Sequence, residues 1–165
     1  MFDSVRTEEQ VEAGHGPADP PLLGALRFPE GTVVRGRSLR RGLPPGPRPD
    51  LGLYLTSPRA RRRSRFSPSW DALWVAWPDF RLPADDHQAV DVIVAAFERA
   101  RAGERVEVAC GGGTGRTGTV LTCMAMLAGV APERALHFVR RHYRPRAVET
   151  RGQRRWIERF AERTT

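Results

Sequence analysis

Cys110-Gly111-Gly112-Gly113-Thr114-Gly115-Arg116-Thr117-Gly118 is the stretch whose reading decides the fold. A cysteine and an arginine stand at the two ends of a five-residue, glycine-rich loop. The alternation Val106, Val108, Cys110 before it predicts a buried strand, and the apolar run Val120 to Ala128 after it predicts a buried helix. A strand, a tight glycine loop and a helix N-terminus form an anion site, because successive N–H groups point inward and the helix dipole adds positive charge. The curl needs glycine for positive φ and close approach to the ligand. Gly111, Gly112, Gly113, Thr114 and Gly115 would then cradle a phosphate, and Arg116 would grip two of its oxygens with a planar fork. The same positive surroundings favour Cys110 as a nucleophilic thiolate.

Other readings compete. An ATP loop of the Walker type needs Gly-Lys-Ser/Thr, and the chain has no lysine. Gly113 to Gly118 matches the dinucleotide pattern G-x-G-x-x-G, which expects a second strand ending in an acid about twenty residues on. Glu133 stands at that distance, but in a helix start, Ala131-Pro132-Glu133-Arg134. A tight turn around an inert buried cysteine is the third reading.

With 165 residues, 40% hydrophobic and 28% charged, the composition is that of one ordinary globular domain. The net charge of +8 would suit an anionic partner. All 27 basic residues are arginine, however, which reads as the codon bias of a G+C-rich genome and weakens any case for nucleic acid. Met1 to Glu9 has neither a basic nor an apolar leader region, and Val120 to Ala131 is too short to span a bilayer. Two cysteines make no disulfide framework, and a working thiolate needs reducing surroundings, so a cytoplasmic protein without membrane contact is expected.

Residues 1 to about 27 read as a loosely held arm and 28–165 as a single catalytic domain. Strands are predicted around Thr32–Arg35, Leu51–Leu55, Leu73–Trp77 and Val106–Cys110, with a basic loop over Arg59–Arg65. Asp85 caps a helix carrying Val90, Ile93, Val94 and Phe97, with Gln88 completing a capping box. Helices follow over Arg116–Ala128, Pro132–Tyr143 and Glu149–Arg163, with Trp156, Ile157 and Phe160 as core. This pattern predicts an α/β fold: a small, mainly parallel twisted sheet flanked by helices.

A thiolate attacking a phosphate ester needs a proton donor for the departing oxygen. Asp79 follows one predicted strand and Cys110 ends the next, with one helix between. A right-handed crossover brings both to one sheet edge, where ligands bind. Asp85 and Asp86 are the rival donors.

Cys110 to Gly118 resembles the phosphate loop of the cysteine-dependent protein tyrosine phosphatase superfamily. Trp77-Pro78-Asp79-Phe80-Arg81-Leu82-Pro83 resembles its mobile acid loop, and Glu149-Thr150-Arg151-Gly152-Gln153 its water-placing loop. The chain is similar to the compact, dual-specificity-like members. The resemblance implies a phosphomonoester hydrolase acting on a phosphorylated protein or small phosphomonoester through a phosphocysteine intermediate. In it Cys110 is the nucleophile, Asp79 the acid and then the base, Arg116 the oxyanion clamp, and Thr117 the partner of the thiolate. Gln153, with Glu149, would place the water. No cofactor and no metal is implied, and His15, His87, His137 and His142 show no ligand spacing. Ala109 stands where the family has histidine, Arg81 where it often has glycine, and Glu149 where many members have glutamine. Two alternatives remain at this point: a weakly catalytic phosphate-binding module, motivated by Ala109, and an RNA 5′-phosphatase, motivated by Arg59–Arg65. Cys123 is expected to be core, and Trp70, Trp74 and Trp77 to pack the acid loop.

Overall fold

The computed structural model describes residues 19–165. Strands β1 (Leu26–Arg27), β2 (Val33–Ser38), β3 (Leu51–Thr56), β4 (Asp71–Ala76) and β5 (Val106–Cys110) form one sheet in the order β1-β2-β5-β3-β4. The β1–β2 pair is antiparallel and the other pairs are parallel. Helix α1 (Pro58–Arg63) joins β3 to β4, and α2 (Asp86–Arg101) carries the chain from β4 past β3 to the central strand β5. Helices α3 (Gly115–Leu127), α4 (Pro132–His142) and α5 (Arg151–Thr164) complete the chain. The α/β reading therefore holds, with a mostly parallel sheet.

Because side chains alternate along each strand, the sheet has two different faces. Val34, Leu51, Leu53, Leu55, Val75, Val106 and Val108 belong to the buried apolar core that includes Ile93 and Phe97 of α2 and Val120, Leu121 and Met124 of α3. On the other face Arg35, Arg37, Glu107 and Tyr54 are all buried. Glu107 Oε2 accepts from Arg35 Nη2 at 2.6 Å and Arg37 Nε at 2.8 Å, and Oε1 accepts from Tyr54 at 2.8 Å.

That network explains why β2 runs to Ser38 rather than ending near Arg35. Arginines at alternate positions read as a strand leaving the core, and only a buried carboxylate on the neighbouring strand reverses the reading. The arm expectation also needs correction at its end. Residues 1–18 lie outside the described residues, whereas Leu22 and Leu26 are buried and Leu26–Arg27 pairs with β2.

The basic loop over Arg59–Arg65 is in its larger part helix α1. Ser57 caps it, accepting from the Ala60 N–H at 3.1 Å, and Pro58 sits in its first turn, where a missing N–H costs nothing. At α2, Asp85 caps as expected, its Oδ1 accepting from the Gln88 N–H at 3.0 Å. No helix of the described residues is long and apolar enough to cross a membrane.

Candidate active site

The loop between β5 and α3 owes its shape to where its carbonyl groups point. Gly111 O accepts from Ser38 Oγ at 2.6 Å, Gly112 O from Arg144 Nη1 at 2.8 Å, and Gly113 O from the Tyr143 hydroxyl at 2.5 Å. With the carbonyls bound outward, the amides are free to line the inside. Gly113 has φ of 69°, and a Cβ there would lie 2.7 Å from the backbone of Arg37 and Ser38, so no other residue fits. The Gly113 N–H donates to Cys110 Sγ at 3.2 Å and Thr117 Oγ1 donates to it at 3.0 Å. Two donors on one sulfur suit a sulfur that carries negative charge.

Arg116 is buried and holds three parts of the molecule together. Its Nη1 donates to Leu55 O at 3.1 Å and Trp77 O at 2.8 Å, tying the phosphate loop to β3 and to the acid loop. Its Nη2 lies 3.3 Å from Asp79 Oδ1, and its buried Nε has no partner among the described residues. A buried guanidinium donor without an acceptor is costly, and a bound oxyanion would satisfy it.

The structure thus brings Cys110, Arg116, Thr117 and Asp79 together, as the crossover argument anticipates. The two rival acids are engaged elsewhere: Asp85 caps α2, and Asp86 Oδ1 accepts from Trp156 Nε1 at 2.9 Å. Trp77 is buried, donates to Arg81 O at 2.7 Å and packs on Trp156 at 5.2 Å between ring centroids, which closes the base of the acid loop. Phe80 beside Asp79 is exposed with φ of 57°, an uncommon conformation for an aromatic residue. Trp70 and Trp74 do not pack this loop. They sit on the far sheet face, where Trp70 Nε1 donates to the Tyr54 hydroxyl at 2.8 Å and the Trp74 ring packs at a tilt against Tyr54, 4.9 Å between centroids.

Glu149 precedes α5, and Gln153 lies in its first turn, fully buried. Gln153 Oε1 accepts from the Glu149 N–H at 2.9 Å and the Thr150 N–H at 3.3 Å, completing a capping box with Thr150. Its Nε2 is left unpartnered among the described residues, and it flanks Gly115 together with the Glu149 carboxylate.

Four residues that sequence reasoning does not pick out build this site: Ser38, Arg40, Tyr143 and Arg144. The first two arrive because Ser38 pairs in register with Cys110, so β2 ends beside that cysteine. A second parallel strand feeding the same edge was the available signal. Tyr143 reaches Gly113 because Gly36 leaves room for its ring. Burial pushes its hydroxyl up to about 12, so it remains a proton donor across the physiological range. Ala109 lies on the opposite sheet face, in register with Tyr54, and loop order here comes from Tyr143, Arg144 and Ser38. Tyr143→Phe removes one neutral hydrogen bond, about 1 kcal/mol. The expected fall in Tm is about 2–4 °C for a chain of this size. Faster amide exchange confined to Gly111–Gly113, read by hydrogen exchange, checks the assignment.

Cys123 is fully buried, and burial pushes its thiol well above the ordinary range, which fits the expected core role.

Comparison with known proteins agrees with this geometry. Residues 67–163 match the family model described as Swiss Army Knife protein, DSP-PTPase phosphatase domain (PTP-SAK). The crystal structure of Tk-PTP in the active form is 31% identical and superposes with a TM-score of 0.61, covering 70% of this chain and 80% of that one. Human DUSP28 shares the fold at 18% identity with a TM-score of 0.59, over 84% of this chain and 96% of that one. "Putative tyrosine phosphatase 067L" of Invertebrate iridescent virus 3 is 39% identical over 57 residues, 33% of this chain and 24% of that one. The chain therefore spans about a quarter of that viral relative's length. Because that family model covers more than half of the chain, including residues 77–83, 110–118 and 149–153, the chain belongs to the dual-specificity-like (DSP-PTPase) family of the protein tyrosine phosphatase superfamily.

Proposed function

We propose that the chain hydrolyses phosphomonoesters, on phosphorylated protein side chains in the first instance, through a phosphocysteine intermediate. The observation that carries this reading is the pairing of a doubly hydrogen-bonded Cys110 sulfur with a buried Arg116 Nε that has no partner among the described residues. Cys110 Sγ forms a bond to phosphorus while the ester P–O bond breaks, and Asp79 gives its proton to the departing oxygen. Arg116 and the inward amides of Gly111–Gly115 hold the equatorial oxygens, where charge concentrates in the transition state. Water then attacks phosphorus, Asp79 takes its proton, the P–S bond breaks and inorganic phosphate leaves. Thr117 supports the sulfur as attacking and as leaving group.

The capping box sharpens the part assigned to Gln153. Its carbonyl oxygen is spent on the helix cap, so only Nε2 remains to donate to the water, and the Glu149 carboxylate beside it supplies the acceptor.

The test is release of phosphate from an aryl phosphate between pH 5 and 8 with a chelator present throughout, comparing wild type with Asp79→Asn. Loss of general acid catalysis is worth about 10²–10⁴-fold. The variant is expected to lose that factor together with the decline on the alkaline side of the wild-type profile. Tight vanadate binding without turnover would instead favour the phosphate-binding module.

A further inference from the structure

The phosphate loop carries no basic side chain of its own between Cys110 and Arg116, and three of its first residues are glycine. The fold supplies a second cation from elsewhere. Arg40, just beyond β2, is sewn onto the loop through its backbone: its N–H donates to Gly111 O at 3.3 Å and to Ser38 Oγ at 3.2 Å. The Leu39 N–H donates to Cys110 O at 2.8 Å, so this short segment is fixed against the nucleophile's own strand end.

The Arg40 guanidinium lies over the outer lip. A Cβ on Gly111 would sit 3.6 Å from Arg40 Nη2 and 3.3 Å from Arg116 Nη2, and one on Gly112 would sit 3.9 Å from Arg40 Nη1. Both guanidiniums therefore converge on the space that glycine leaves open. Their situations differ. The Arg116 side chain is 5% exposed and structurally committed, whereas that of Arg40 is 72% exposed. Arg40's one ionic neighbour among the described residues is Asp79, at 3.9 Å and outside hydrogen-bond reach.

Resting on the phosphatase reading above, we infer that Arg40 is a specificity-determining residue, selecting phosphomonoesters that carry a second anionic group, phosphate or carboxylate, beside the scissile phosphate. The scissile phosphate occupies the amide cradle under Arg116, and the second group meets Arg40 at the lip. An exposed guanidinium contributes most when its anion is delivered at fixed distance by a neighbouring anchor, because the entropy of bringing the charges together is already spent.

The experiment compares matched aryl phosphates, 3-carboxyphenyl phosphate and its neutral isostere 3-carbamoylphenyl phosphate, on wild type, Arg40→Gln and Arg40→Lys. Wild type is expected to prefer the carboxylate by about tenfold in kcat/KM, with the preference shrinking as salt is raised. Arg40→Gln is expected to reduce that ratio to about one, mainly through KM, and Arg40→Lys to restore part of it. Two further probes tell the natural source apart: a vicinal cyclitol bisphosphate, and a phosphotyrosyl peptide with glutamate or glutamine beside the phosphoresidue.

An equal loss on both aryl phosphates in Arg40→Gln, with a moved alkaline limb, would mean that Arg40 acts through Asp79 and would overturn the inference. An unchanged ratio would overturn it as well. Calorimetric binding of the same pair to Cys110→Ser protein keeps the two proposals separable. Absence of turnover with a retained, Arg40-dependent binding preference sinks the phosphatase reading alone, and binding without preference sinks the role of Arg40.

Discussion

Cys110→Ser protein is expected to bind phosphate esters and to release no measurable phosphate from them. Loss of a catalytic nucleophile costs on the order of 10⁴–10⁶ in kcat, because the groups that remain cannot form the covalent intermediate. Serine is close in size to cysteine and can accept from the Gly113 N–H and the Thr117 hydroxyl as the sulfur does. A hydroxyl is nevertheless a far weaker nucleophile than a thiolate at neutral pH. Single-turnover assays with excess enzyme would read the chemical step directly. Vanadate or phosphate titration would show that the cradle of loop amides and Arg116 persists. Cys123 provides the internal comparison. Its thiol is buried in the core and held well above the ordinary range, so iodoacetamide at neutral pH is expected to reach Cys123 only after unfolding. Residual turnover in Cys110→Ser within tenfold of wild type would end the covalent mechanism.

The second large effect lies away from the chemistry. Glu107→Gln is expected to destabilise the protein by about 3–5 kcal/mol, the cost of stripping a buried carboxylate from cationic partners that stay behind. Glu107 is fully buried between Arg35 and Arg37, with Arg37 forked across both oxygens at 2.8 and 3.0 Å. Burial by itself would raise the Glu107 carboxyl, but hydrogen bonds from Arg37 and Arg35 outweigh it, and the net position is below the ordinary glutamate value. The sign of the pH dependence follows. A carboxyl lowered in the folded state contributes stability that is complete above its unfolded value and is lost as pH falls through its folded value. Wild type should therefore shed this contribution below about pH 4.3, the unfolded reference, while Glu107→Gln lacks it at every pH. Thermal melts stepped down from pH 7 would show the gap between the two proteins at full size above the unfolded value and narrowing as pH falls through the folded one. Replacing Arg35, Arg37 and Glu107 together by apolar residues should recover much of the loss, since a buried ionic cluster is worth little against packed hydrocarbon. Activity is expected to suffer in Glu107→Gln as well. The backbone of Arg37 and Ser38 is what Gly113 packs against, so a loosened β2 end releases one wall of the phosphate loop.

These two residues also mark how differently the sequence treats chemistry and architecture. That Cys110, Arg116 and Thr117 converge could be read directly because they lie on one continuous loop, where spacing alone brings them around a common point. Asp79 could be read with one added rule, the handedness of a strand–helix–strand crossover, which puts both loops at one sheet edge even though β3 intervenes between β4 and β5. The α/β class followed from periodicity, and the Asp85 cap from a side chain that bonds its own next turn. All of these are local interactions, or topological ones with a fixed sign.

What remained hidden depends on partners distant in the chain. The strand predicted to end near Arg35 runs on because Glu107 on the adjacent strand meets Arg35 and Arg37. The exposed Arg59–Arg65 cluster reads as solvated loop, although Ser57 and Pro58 start a short helix through it. Gln153 reads as a residue that places water, and that its carbonyl also closes a helix cap shows only in the fold. Arg40 looks like one of 27 interchangeable arginines. Hydrophobic pattern and loop spacing are properties of neighbouring residues, and the sequence determines them alone. The pairing of a buried charge, or the arrival of a second cation at an anion site, is decided by which strands lie side by side, and that only the tertiary structure settles.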